Sequence, residues 1–277
     1  SASAVSSLVG IAAAIALNAQ NAGNVASIAG TATADNIEVR TGTSGDGVHS
    51  LSAETISGAG IQIAAISGAV SATLAQGTSN AVLSDGANIV LTNNGNLTVQ
   101  SDMEMVNSTD AAPFIDVGAT VGVGASVEIN SGTFQTVADI QDVDILGAHD
   151  VSVVATGDYE TNANSEAGVT AGTAMGAAIA AMLTDNRTRA NLSETTNPSI
   201  ITGNLEVSAA HTAVAAHQAV ANSNGGDITV GAAVAIGVMQ GGAEASIGNS
   251  MDVGGAVTLT AETDSSMNAD AVASTSG

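Results

Sequence analysis

The residues with the means to do chemistry are clustered carboxylates and guanidinium groups. The run ADIQDVDI from 138 carries Asp139, Asp142 and Asp144, and TDNRTRAN from 184 carries Arg187 and Arg189. Asp142 and Asp144 are two residues apart, so on a strand they share one face. There they form a carboxylate pair suited to general acid–base work or to holding a cation. A polysaccharide-cleaving site of this kind also draws on aromatic platforms, and Phe114, Phe134 and Tyr159 are too few and too scattered to make one. The simpler reading is an outward polar face, and it is preferred here.

Calcium is the one cofactor with any further signal. GTSGDGVHSL from 42 and LSDGANIVL from 83 are similar to fragments of the glycine-aspartate nonapeptide roll, but neither repeats in tandem. Gly and Asp are expected at turns in any case. His49, His149, His211 and His217 lack the spacing of metal ligands. His211 and His217 share a parity with Ala213, Ala215 and Ala219, which directs them inward on a straight path; a corner would make them edge residues. No Ser is accompanied by a His and Asp constellation, and no phosphate-cradling GxGxxG opens a helix. Sequons at Asn96, Asn107, Asn186 and Asn191 are about as many as chance supplies in a chain rich in Asn, Ser and Thr.

The elements that position these groups follow from composition. Of 277 residues 45% are hydrophobic but only 1% aromatic, with no Trp and no Cys. An interior made of Ala, Val, Ile and Leu is thin, as in a coiled sheet whose side chains need only reach the opposite wall. Without Cys there is neither a disulfide framework nor a thiolate zinc site. The 26 acidic residues face three arginines and no lysine, for a formal charge of −23. Such a field repels phosphate backbones and anionic headgroups, so nucleic acid is not an expected partner. Membrane insertion is not expected either, because the longest apolar stretch, 169–183, is interrupted by Thr and Gly and it alternates. The chain opens on Ser1 without a basic leader, which fits a mature segment or a piece of something longer.

Repeats organise the rest. A turn followed by a short strand recurs as IEVRT from 37, LTVQS from 97, VSVVA from 151, LEVSA from 205 and VTLTA from 257, at offsets of 60, 54, 54 and 52 residues. A second marker, Ala-x-Ile/Leu, begins at Ala26, Ala81, Ala138, Ala190 and Ala245. It precedes the first by a variable 11 to 16 residues, as a loop would. The third marker is an alternating run, clearest in VGAAVAIGVM from 230. Val230, Ala232, Val234, Ile236 and Val238 fall on one face, and Gly231, Ala233, Ala235, Gly237 and Met239 on the other. Bulk at every second residue would wrap a helix on all sides, so the period argues for strand, with 174–183 included. In the second module the parity changes between Ile63 and Ile66, which suggests a bulge near Ala64-Ala65. The run of 17 residues from Val257 is long for one strand and is expected to bend at corners.

Five modules result, approximately 8–58, 59–114, 115–168, 169–226 and 227–277, with 1–7 the tail of a preceding one. The expected fold is all-β, a β-solenoid of modules about 52–60 residues long, each making several coils. The bulky parity is expected inside. If Gly231, Ala233, Ala235 and Gly237 then point outward they make a flat strip for assembly, on which Ala233→Glu and Ala235→Glu would block association without disturbing the fold; the alternation alone leaves open which side they face. Neither end shows a capping segment, so a longer array or subunits that stack end to end are expected.

The Gly/Ala strands such as ITVGAAVAIGV from 228, with AEASIG from 243 and GGAVTLTAET from 254, give the chain a likeness of pattern over essentially its whole length. It resembles the repeat regions of large exported bacterial surface proteins, the filamentous-haemagglutinin-like and leukotoxin-like adhesins. The resemblance implies a right-handed parallel β-helix at the cell surface, acting without catalysis as a rod-like part of an adhesin or fibre. Its partners would be other copies, met end to end or laterally, or a host or matrix receptor or polysaccharide. The other functional classes are a carbohydrate- or receptor-binding module and a polysaccharide-degrading enzyme.

Overall fold

The computed structural model describes residues 2–6, 8–42, 48–61, 63–193, 199–248 and 251–277. The described chain is all-β and its strands pair in parallel, forming a solenoid. Each alternating run lies in one wall, made by strands Val9–Ile28, Ala64–Leu83 and Ile228–Ile247 with the second halves of Leu97–Ile140 and Val151–Leu192. The opposite wall is made by Ile37–Thr41, Val48–Ile61, Leu205–Asn224 and Val257–Ser276 with the first halves of the two longest strands. Short strands Thr31–Ala34, Asn88–Leu91 and Asp144–Leu146, and the pair Ile200–Ile201 and Asp252–Val253, join the walls at one end.

The register equates the repeat with the rung. Ile37 pairs with Leu97, Leu97 with Val151, Val151 with Leu205 and Leu205 with Val257. One module therefore makes one wide rung, not several coils. Its walls are too long for a narrow β-helix, and the expected corners are absent. Val257–Ser276 is a single strand of 20 residues, and His211 and His217 lie on a straight path that points both inward. The parity change in the second module is no bulge at Ala64-Ala65. Those residues sit in regular pairing with Val9 and Gly10, and the break before them is where the chain passes from one wall to the other.

The turn markers have a structural cause. Asn36 Oδ1 accepts the Asn96 backbone N–H (2.9 Å), and Asn96 Oδ1 that of Asp150 (3.2 Å). Asp150 Oδ1 accepts from Asn204 (2.7 Å), and Asn204 Oδ1 from Ala256 (3.0 Å). A column of amide and carboxylate oxygens thus ties each turn to the next rung, which is why Asn or Asp recurs there. The Ala-x-Ile/Leu marker is an inward column at the same end: Ile28, Leu83, Ile140, Leu192 and Ile247 stack rung on rung. With Ile89, Ile145, Ile201, Val99, Val153 and Val207 they form the largest aliphatic core among the described residues. Each such side chain buried contributes about 1.5–3 kcal/mol.

Beneath the Gly/Ala parity of the alternating runs the interior is thin. A Cβ at Gly231 would stand 3.2 Å from the Ala221 carbonyl oxygen of the opposite wall. Ala233 and Ala235 pack on Ala167, Ala178, Ala180, Ala219 and Ala221, and a Cβ at Gly237 would stand 2.2 Å from His217 Cε1. The strip expected outside therefore faces inside. Two walls this close leave no room for Val or Ile between them, so the bulky parity is turned to the surface.

Candidate functional site

The surface of the first wall is set by that inversion. Its outward columns run across all five rungs. One reads Ile11, Ile66, Val123, Met175 and Val230, and another Ile15, Val70, Val127, Ile179 and Val234. Between them Ala13, Gly68, Ala125, Ala177 and Ala232 make a shallow furrow. Ile15 is 72% exposed, Ile236 56% and Leu183 53%. From the column of Val9 and Ile228 to that of Ala19 and Val238, no outward residue of the five strands is charged.

Beyond Ala19 the same wall becomes polar. Asn21, Gln76, Thr133, Asp185 and Gln240 form one outward column, followed by Gly23, Thr78, Gln135, Arg187 and Gly242. Asn21, Gln76, Thr78, Thr133, Gln135, Asp185 and Arg187 line a cavity of about 530 Å³. Arg187 Nε donates to Asp185 Oδ1 at 3.0 Å and Nη2 to Asp185 Oδ2 at 3.1 Å, and these bonds push the guanidinium pKa further up. Arg189 pairs with Glu244 at 3.7 Å. The two arginines therefore stand on this wall, each beside an acid.

Asp139 accepts from Asn191 (2.8 Å) and Gln141 (3.2 Å). Asp142 lies in the turn whose backbone oxygen accepts from Gly86, and Asp144 opens the short strand beside Ala87. Among the described residues no group of three or more His, Asp or Glu is placed to hold a metal ion. LSDGANIVL is the turn and short strand of the second rung. In GTSGDGVHSL, residues 43–47 lie outside the described residues.

The outward face of the second wall is acidic. Glu104 pairs with Asp158 on the neighbouring rung, and Glu54 with Asp110. Burial, then the charges of Glu54 and Glu166, raise the Asp110 pKa, while the Asn164 amide partly offsets them. Titratable groups also lie inside. Tyr159 stacks on Phe134 with centroids 5.8 Å apart, and its hydroxyl lies 2.7 Å from Thr136 Oγ1. His211 lies 5.3 Å from the Tyr159 ring and bonds Thr188 at 3.1 Å, and burial pushes its pKa down. Glu128 is fully buried with neither oxygen in a well-formed hydrogen bond. Burial pushes its carboxyl up to about 9, the nearby Thr109 hydroxyl offsetting part of this. The signal for Glu128 was in the sequence, as a lone acid on a parity otherwise made of Gly, Ser and Thr.

Much of the polar interior bridges the walls. Ser57 and Ser67, Thr109 and Thr73, and Ser165 and Ser126 bond across at 2.6, 2.8 and 2.7 Å. Such bonds each contribute about 1 kcal/mol and hold the walls in register. No family model, curated protein or solved structure matches the chain.

Proposed function

We propose that the protein is a non-enzymatic extracellular structural protein, a rod-like segment or subunit of a bacterial surface adhesin or fibre. The observation that carries this reading is the in-register stacking of five wide rungs. Among the described residues Val257–Ser276 pairs in the sheet with Leu205–Asn224, and Ile228–Ile247 with the strand Val151–Leu192. Val9–Ile28 is bonded on one side alone, to Ala64–Leu83. A further rung of the same kind, from the same chain or from another copy, pairs in the same register, so rungs extend the rod with hydrogen bonds along its axis. Negative-stain electron microscopy over a concentration series tests this: filaments of the solenoid's width are expected, and short separate rods at every concentration overturn it.

A second reading has its own observation, the amide-lined cavity on the first wall. Asn, Gln and Thr side chains beside the Asp185–Arg187 pair suit the hydroxyl and carboxylate groups of a polysaccharide. Calorimetry with acidic and neutral oligosaccharides tests it. Binding that Arg187→Ala weakens favours this role, and no heat with either class excludes it.

A further inference from the structure

We infer that the uncharged outward face of the first wall is a docking surface for a second copy of this chain, the two solenoids packing wall to wall. This goes beyond end-to-end stacking and does not depend on it. The face has six outward positions on each of five strands, and apart from Gly68, Ser131 and Thr173 they are aliphatic. At roughly 6.7 Å per outward position and about 4.8 Å per rung, it covers about 40 by 24 Å, on the order of 900 Å². A single apolar patch of that size is larger than a free monomer surface ordinarily carries. It also matches the area of about 800 Å² that each partner contributes to a stable dimer.

Three features commit the face to its own copy. The first is relief: aliphatic ridges through Ile15 and Ile179, and through Ile11 and Met175, flank the furrow of Ala13, Ala125 and Ala177. A ridge of one copy fits the furrow of another, as an isologous interface requires. Beyond the Ile15 ridge the sizes alternate over the first four rungs, Leu17, Ala72, Ile129 and Ala181 in one column against Ala19, Leu74, Ser131 and Leu183 in the next. The second feature is charge. In a chain of −23, copies must meet where charge is absent, and this contact leaves the acidic second walls, with Glu104, Asp158 and Glu160, on the two outer sides. The third is that the face is a flat wall rather than a pocket, which suits another sheet better than a peptide or small ligand.

Analytical ultracentrifugation of the chain and of the double variant Val127→Asp/Ile179→Asp tests the inference. Below the concentration at which filaments form, the wild type is expected to sediment as a dimer and the variant as a monomer with an unchanged circular dichroism spectrum. An unchanged sedimentation coefficient in a folded variant overturns it. So does a wild type that is monomeric throughout and instead binds vesicles of neutral phosphatidylcholine. A second measurement does not depend on the variant folding. Because the chain has no Cys, Val127→Cys near the centre of the face is expected to give disulfide-linked dimers on mild oxidation, and Ser108→Cys on the opposite wall is not. Equal cross-linking at both positions contradicts the inference. Filaments that persist in the Asp variant leave end-to-end stacking intact while wall-to-wall pairing is lost, so the two proposals fail separately.

Discussion

Gly176 on the first wall lies against Ser223 on the second: a Cβ at 176 would stand 2.9 Å from Ser223 Oγ and 3.4 Å from the Ala167 carbonyl oxygen. The walls are nearly in backbone contact, and this closeness decides which residues can lie between them. Gly176→Val is expected to cost about 1–3 kcal/mol by overpacking. Ile179→Ala, three residues on but outward, is expected to cost under about 0.5 kcal/mol in the monomer. Urea midpoints of the two variants check the pair, and equal losses would contradict the assignment of sides.

The same inversion reverses an expectation drawn from the sequence. Ala233→Glu with Ala235→Glu places two carboxylates against Ala219 and Ala221, with no partner for either charge. The double variant is expected to lose the cooperative unfolding of its C-terminal rungs, seen as faster hydrogen exchange over 205–276. Native exchange there would put these residues on the surface.

Glu128 gives the fold a pH dependence of definite sign. Its carboxyl titrates at about 9 in the folded chain and near 4.5 when exposed. Between those values the folded state holds a proton that the unfolded state has released, so this contribution is complete below pH 4.5 and falls as pH rises towards 9. Relative to Glu128→Gln, the wild type is expected to lose up to about 4 kcal/mol from pH 5 to pH 8. Parallel stability curves for the two proteins would remove Glu128 as the cause.

Asp150 is the one carboxylate in a column otherwise made of Asn36, Asn96 and Asn204. Asp150→Ala is expected to lose about 1–2 kcal/mol with the bonds to the Asn204 backbone and side chain, and Asp150→Asn to restore most of it. Thermal unfolding checks the order of the three proteins. An Asn variant no more stable than the Ala variant would show that the column does not act through this oxygen.

The sequence made the strands, the repeat and the two parities legible because all three are local or periodic properties. The offsets between IEVRT, LTVQS, VSVVA, LEVSA and VTLTA are the register itself. Sidedness was not legible. An alternating run defines two faces without saying which is inside, and the usual preference for burying bulk fails when the facing wall is as close as Ser223 is to Gly176. The number of coils escaped for a related reason: a period gives the length of a module, not the path within it. Arg187 and Asp185 could be picked out as charged neighbours. Their cavity could not, since it depends on Gln76 and Gln135 being stacked beside them from rungs far away in sequence.

The central claim is that each module is one wide rung. Ser52, Ser108, Asn162, Ala216 and Asn268 then form one outward column across the five rungs. Spin labels on Ser52→Cys and Asn268→Cys, diluted with unlabelled protein, report the distance along it by pulsed electron paramagnetic resonance. One rung per module puts the labels four rung spacings apart, about 19 Å, and two or three coils per module would put them about 40–60 Å apart.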